Sequence, residues 1–189
     1  MINTKDDLRR CLAEDARNYV MYSHNPYFKK IRHQLHTNPI SDQWYIWKYI
    51  STLRYCEYYQ NATSILKKIL SMYYNFRLRQ LSRITSFQIP PNTVGAGLTI
   101  WHWGTVIINP ETKIGRNCTL NPQVVIGHKK PGEGAPHIGN NVFIGAGAKV
   151  IGAIEIGDNV IIAPNSVVVK DIPDNCIVGG VPCKILKKK

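Results

Sequence analysis

No glycine precedes Gly95 and no tyrosine follows Tyr74, although the 189 residues hold fourteen of the one and ten of the other. So uneven a distribution excludes a single uniform architecture, because glycine marks tight backbone geometry and a glycine-free stretch is open to long helices. Acidic side chains are also scarce, with 12 Asp and Glu against 24 Lys and Arg and a net charge of +12. Long apolar runs are missing: every greasy stretch is broken by Gly, Asn or a charge well before the roughly 20 residues that span a bilayer. No transmembrane segment is therefore expected. The five cysteines, Cys11, Cys56, Cys118, Cys176 and Cys183, are odd in number and lack short paired spacing, so neither a disulfide framework nor a zinc site is expected. The opening MINTKDDLRRCLAED carries acidic residues and no apolar core, so it does not read as a secretory leader, and a cytoplasmic location is expected.

What is present is globular in composition, 44% hydrophobic and 19% charged. Residues 1–87 carry 14 basic against 6 acidic side chains and residues 88–189 carry 10 against 6. Such an excess can steer an anionic partner: a nucleotide cofactor, an acidic glycan or a membrane surface. The basic residues form no recognition motif, and Lys187, Lys188 and Lys189 read as a solvated tail, so no nucleic acid partner is expected.

Residues 1–87 read as an α-helical N-terminal region. A helix is predicted over Asp6 to Val20 behind an Asn3 or Thr4 cap, and a turn at His24, Asn25 and Pro26. A short helix is expected over Tyr27 to His36, with a break at Asn38-Pro39. Helical spacing resumes over Ser41 to Tyr59 (Trp44, Trp47, Ile50, Leu53, Arg54, Glu57) and over Thr63 to Ile84 (Ile65, Ile69, Met72, Tyr73, Phe76, Leu81). Such apolar stripes need a partner, either the edge of the following region or a neighbouring subunit.

Residues 88–189 beat at six. Aliphatic residues stand at Val94, Ile100, Ile108, Ile114, Leu120 and Ile126, then at Ile138, Ile144, Val150, Ile156, Ile162 and Val168. Three such units close one triangular turn of a parallel β-helix, in which each inward side chain stacks on its equivalent in the next coil. The fold class expected is all-β, a left-handed parallel β-helix behind the helical region. Two interruptions break the rhythm. Ile100 to Ile108 takes eight residues where six are due and carries Trp101, His102, Trp103 and Gly104. Gly127 to Ile138 carries His128, Lys129, Lys130 and His137 but no aliphatic residue at its midpoint, which points to a loop leaving the prism. Loops on a rigid scaffold are where chemistry concentrates.

The block IWHWGTVIINPETKIG, the loop end GAPHIG, the run NNVFIGAGAKVIGAIEIGDNVIIAPNSVVVKDIP and the closing GGVPCKI resemble the bacterial serine acetyltransferase family of hexapeptide-repeat acyltransferases. The resemblance covers roughly Ile84 to Leu186, with looser similarity in the preceding helices. It implies an O-acetyltransferase that uses acetyl-CoA as donor, with His102 as general base on an acceptor hydroxyl and no acetyl-enzyme intermediate. A hydroxyl needs such a group because its own pKa lies far above 7. The resemblance also implies a cofactor groove near the C-terminal coils. There Gly145, Ala146, Gly147 and Ala148 would let the pantetheine arm lie close to the backbone, and Lys149, Lys170 and Lys184 could pair with its phosphates. Lys129 and Lys130 are weaker candidates. His128 is a second catalytic candidate, either supporting His102 or touching the cofactor, and Glu111 and Asn121 are candidates to orient the catalytic imidazole.

The departures bear on the acceptor. The family has an acidic residue directly before this histidine and another fifteen before it, where this chain has Trp101 and Phe87. A second family histidine falls at Ala135, and His137 stands two residues further on. An acceptor with fewer charges than serine, held between Trp101 and Trp103 with His137 nearby, fits these residues, and aromatic platforms suit a sugar ring; the alternative acceptor is therefore a saccharide or nucleotide sugar. L-serine and a saccharide both stay open. The family's serine-specific members often form dimers of trimers through a longer helical domain, so a homotrimer is expected here, with a hexamer as the alternative. A non-catalytic scaffold is the competing reading, against which a histidine in a register-breaking bulge argues. A metalloenzyme on this scaffold would need His102, His128 and His137 to converge; their spacing does not match, and no metal is expected.

Overall fold

The computed structural model describes residues 1–20 and 41–189. The expected turn at His24–Pro26, the helix over Tyr27–His36 and the break at Asn38-Pro39 lie outside the described residues. Among the described residues three helices come first: α1 (Lys5–Val20), α2 (Asp42–Gln60) and α3 (Ile65–Thr85). At the start of α1 the Asp7 amide donates to the Thr4 hydroxyl at 3.0 Å, and the Thr4 amide donates back to the Asp7 carboxylate at 3.0 Å. This reciprocal cap satisfies two donors that the helix itself cannot. Hydrogen bonds from Thr4, first by its side chain and then by its backbone, hold the Asp7 carboxyl down at about 2.

Fourteen strands follow, most of them two or three residues long, and they stack into three flat faces. Face 1 contains β1 (Phe87–Gln88), β3 (Val106–Ile108), β6 (Val124–Gly127), β9 (Lys149–Ile151) and β12 (Val167–Val168). Face 2 contains β4 (Lys113–Ile114), β7 (His137–Ile138) and β10 (Glu155–Ile156). Face 3 contains β2 (Thr99–Ile100), β5 (Thr119–Leu120), β8 (Phe143–Ile144), β11 (Ile161–Ile162) and β13 (Cys176–Gly179), closed by an antiparallel β14 (Lys184–Lys188). All other pairings are parallel, with Ile114 on Ile138, Leu120 on Ile144 and Ile126 on Val150. All twelve positions of the six-residue beat are buried, because every coil offers its inward side chain only to the coils above and below.

The corners hold the second regularity. Where face 2 turns into face 3, Asn117, Asn141, Asn159 and Asn175 all adopt φ between 55° and 58°. That left-handed conformation suits asparagine better than other residues with a Cβ. Their amides form a ladder, Asn117 to Asn141 at 3.0 Å, Asn141 to Asn159 at 3.1 Å and Asn159 to Asn175 at 3.0 Å. Close backbone approach accounts for glycine beside this ladder: a Cβ on Gly115 would fall 2.7 Å from the Gly139 carbonyl.

The helical region and the prism are not separate bodies. Ile46, Tyr49, Ile50, Leu53 and Cys56 of α2 and Leu78 and Leu81 of α3 share one continuous core with the inward residues of the coils. A buried charge cluster reinforces the joint. The Arg54 guanidinium, 1% exposed, donates to Asp15 at 2.7 Å, to Glu57 at 3.0 Å, and to the carbonyls of Val94 at 2.8 Å and Gly95 at 2.7 Å. Asp15 in turn accepts from the amides of Gly97 and Leu98, at 2.7 and 2.9 Å. Burial works to lower the Arg54 pKa, but the Glu57 and Asp15 carboxylates outweigh it and raise that pKa above its ordinary value. The expected stripe of α3 behaves differently: Leu81 is buried, while Ile65, Ile69, Met72, Tyr73 and Phe76 face solvent. No helix among the described residues is long and apolar enough to cross a membrane.

Candidate active site

The eight-residue bulge sits on the edge between faces 3 and 1. Ile100 and Val106 point inward and are fully buried, so the two extra residues are accommodated outside the prism. His102 is exposed at the tip of the bulge, between half-buried Trp101 and exposed Trp103. Gly104 closes the bulge at φ 144°, where a Cβ would lie 2.9 Å from the Pro122 side chain.

The helices hold the bulge from behind. Gln43, in the first turn of α2, donates its side-chain amide to the Trp101 carbonyl at 2.9 Å. The Trp103 indole donates to the carbonyl of Ile84, near the end of α3, at 3.1 Å. Tyr45 packs on Trp103 with ring centroids 5.4 Å apart, Trp44 meets Tyr45 edge-on at 4.9 Å, and the Lys48 ammonium lies 5.3 Å over the Trp44 ring. Both flanks of His102 are thereby tied down, and its imidazole is left facing solvent.

The same edge carries the expected cofactor corner. Asn121-Pro122, Gly145-Ala146 and Ala163-Pro164 follow the inward residues Leu120, Ile144 and Ile162 just as Trp101-His102 follows Ile100. Backbone bonds link these corners directly, from Gly147 to Pro122 at 2.9 Å and from Asn165 to Ala146 at 2.8 Å. Coils repeat at roughly 4.8 Å, so His102 stands about 10 Å above Ala146 along one edge lined below it by small residues. Ala148 is fully buried and points inward. The Lys149 ammonium is engaged by the carbonyls of Gln123 at 2.6 Å and Gly147 at 2.9 Å. Lys184 lies beside Gly179 in the pairing of β13 with β14, on face 3.

The other expected residues lie elsewhere. His128 occupies the edge between faces 1 and 2, its Nδ1 3.0 Å from the Asn109 amide nitrogen. Lys170, two residues after Val168 as His128 is two after Ile126, shares that edge. His137 stands on the outer surface of face 2, 3.2 Å from Glu155, with Lys113 as its other strand neighbour. Glu111 lines a shallow hollow there with Ala135, His137 and Glu155. The exposed pair Lys130 and Glu133, 3.7 Å apart, lies in the loop with Lys129. Within one chain His128 therefore does not reach His102, and His102, His128 and His137 do not converge. No group of three His, Cys, Asp or Glu side chains suited to a metal occurs among the described residues.

One candidate to orient the imidazole is engaged elsewhere, and the position of one acidic residue of the family is buried. Asn121 shares the edge of His102 but donates its side-chain amide to the Ile144 carbonyl at 2.9 Å. Phe87 is fully buried against Tyr49, centroids 5.2 Å apart, so the position matched to an acidic residue of the family does not face a site. A hollow of about 680 Å³ between α1 and the first coils, lined by Arg10, Glu14, Arg54, Glu57 and Arg116 among others, contains none of the expected site residues.

A three-faced solenoid of six-residue beats, with a histidine bulge on one edge and a row of small corners beneath it, defines a hexapeptide-repeat protein. The family model for the bacterial transferase hexapeptide, described as six repeats, matches residues 135–170. Serine acetyltransferase of Helicobacter pylori is 42% identical over 115 residues, covering 59% of this chain and 67% of that protein. The corresponding enzyme of Synechococcus elongatus is 36% identical over 132 residues, covering 68% of this chain and 51% of that protein. The crystal structure of serine acetyltransferase from Brucella abortus superposes with a TM-score of 0.74 at 25% identity, covering 97% of this chain and 70% of that one. The chain belongs to the serine acetyltransferase family. It spans about half the length of the Synechococcus relative.

Proposed function

We propose that the protein transfers the acetyl group of acetyl-CoA to a hydroxyl, with His102 as general base. The observation that carries this is the placement of His102, exposed on the same edge as the Gly145-Ala146 corner, where an extended pantetheine can run up to it. The acceptor oxygen attacks the thioester carbonyl carbon while the imidazole takes its proton. The tetrahedral intermediate then collapses, the C–S bond breaks, and the imidazolium returns the proton to the leaving thiolate. The products are an O-acetyl ester and free CoA, and no acetyl-enzyme forms. A positioned base of this kind contributes about 10²- to 10⁴-fold.

Family membership supports L-serine as acceptor, while the surroundings of His102 support a saccharide. Trp101 stands where the family has an acidic residue, and Trp103 is held rigid by Ile84 and Tyr45. Flat aromatic surfaces suit the apolar face of a sugar ring, whereas a serine ammonium calls for a carboxylate.

The functional unit is a homotrimer of left-handed coils. Ile107 and Val125 on face 1, and Phe143, Ile161 and Ile177 on face 3, point outward and offer flat apolar packing surfaces. Copies packed side by side bring the edge with His128 and Lys170 in one subunit toward the edge with His102 in the next. Such a cleft gives both the second histidine and a phosphate-pairing lysine a place. Acetyl-CoA is a cytoplasmic metabolite, so the reaction is placed in the cytoplasm.

The test is release of thiol from acetyl-CoA with L-serine and with a panel of sugars and nucleotide sugars, in wild type and His102→Ala. Turnover of a sugar above serine supports the saccharide reading; brisk turnover of serine alone removes it.

A further inference from the structure

Helix α3 is the most conspicuous surface that the proposed chemistry leaves unused. Its sequence, ILKKILSMYYNFRLRQLSRIT, contains five Lys and Arg and no Asp or Glu. Ile65, Leu66, Ile69, Met72, Tyr73 and Phe76 are 77%, 70%, 61%, 74%, 55% and 59% exposed. At 100° per residue they fall on one continuous arc, opposite the side that buries Leu78 and Leu81. The exposed basic residues border that arc. Lys68 and Arg79 lie along one margin, Arg77 along the other, and Arg83 at the C-terminal end of the arc itself. None of these four has an ion-pair partner among the described residues.

We propose that α3 is a membrane-surface helix that seats the protein on anionic lipid. A contiguous apolar face rimmed by unpaired cations is the pattern that lies in the headgroup plane, with the apolar side chains entering the acyl boundary and the cations meeting lipid phosphates. Charge decides between this occupant and a second copy. Pairing two α3 faces would bring eight basic side chains together, four from each helix, with no acidic one from either. Residues 21–40 cannot supply the missing counter-charge, since they add Lys29, Lys30 and Arg32 and contain no Asp or Glu. An anionic bilayer satisfies both the apolar arc and its rim.

The test is sedimentation of the full-length protein with vesicles of phosphatidylcholine, with and without about one-third phosphatidylglycerol. The wild type is expected to pellet with the anionic vesicles, to stay in solution with the neutral ones, and to be released as salt is raised. Replacing Arg79 and Arg83 together by Gln is expected to weaken partitioning by about 25-fold, roughly fivefold per charge. Ile69→Glu with Phe76→Glu is expected to abolish it. Both pairs are exposed, so thermal unfolding of the variants should match wild type, which separates loss of binding from loss of fold. The proposal is overturned if wild type ignores the anionic vesicles or binds neutral ones equally. It is also overturned if the Ile69→Glu, Phe76→Glu pair lowers the particle mass in light scattering, which would assign the face to a second copy of the chain. Acetyl transfer to a soluble acceptor is expected to be unchanged in these variants, so this inference and the proposed function fail separately.

Discussion

Replacing Arg54 by Met tests the joint between the helices and the first coil. Methionine keeps most of the aliphatic volume but removes the guanidinium, so Asp15, fully buried, and Glu57, 3% exposed, lose their shared cation. Breaking a buried ion pair from one side costs about 3–5 kcal/mol because a desolvated charge is left behind. Here the amides of Gly97, Leu98 and Asn92 still donate to the two carboxylates, which places the loss near the lower end, about 3 kcal/mol. For a chain of this size that is a fall in Tm of roughly 6–12 °C. Thermal unfolding followed by circular dichroism reads it directly. Adding Asp15→Asn to Arg54→Met should return part of the loss, because one orphaned charge disappears. A loss below about 1 kcal/mol would refute the view that this cluster joins the two regions.

Three further outcomes follow from the geometry. Gln43→Ala removes the donor to the Trp101 carbonyl; acetyl transfer should fall by about ten- to a hundredfold, while stability measured by urea unfolding drops by only about 1 kcal/mol. Asn141→Ala breaks both ladder bonds and puts alanine at φ 55°, so urea unfolding should show a loss of roughly 2–3 kcal/mol. Burial pushes the Cys11 and Cys118 thiols up to about 12 and the Cys56 thiol up to about 11. These thiols should resist a thiolate-specific reagent at pH 8 until the protein unfolds. Since their folded pKa values are raised, the stability they support is complete below the unfolded value near 8.5 and is lost as pH climbs toward 11–12, which unfolding measured from pH 8 to 11 would reveal.

Much of the fold was legible because a six-residue beat can be read without any long-range information. Each of Val94, Ile100, Ile108 and their successors points inward on periodicity alone. The asparagine ladder is equally legible: Ile-Gly-Arg-Asn117, Ile-Gly-Asn-Asn141 and Ile-Gly-Asp-Asn159 carry its signal at one corner of successive coils. Which edge each histidine occupies follows from the same count. Positions two after Ile100, Leu120 and Ile144 share one corner, and those two after Ile126 and Val168 share another, so His128 and His102 were always on different edges.

The buried cluster was not legible. Arg54 and Asp15 are 39 residues apart, and on a helical wheel Arg54 reads as one more amphipathic position. Only the folded chain shows that the carbonyls of Val94 and Gly95 complete its shell. The grip of Gln43 on the bulge is hidden for the same reason, since 58 residues separate it from Trp101. In α3 the periodicity predicts an apolar stripe, but such a stripe states that a partner exists and does not name it.

The central claim is that the exposed imidazole of His102 takes the acceptor proton. The most direct measurement is acetyl-CoA thiol release by His102→Ala beside wild type, each at saturating acetyl-CoA with the best acceptor found. The variant is expected to turn over about 10²- to 10⁴-fold more slowly with unchanged affinity for acetyl-CoA. A variant that turns over at the wild-type rate would contradict the claim.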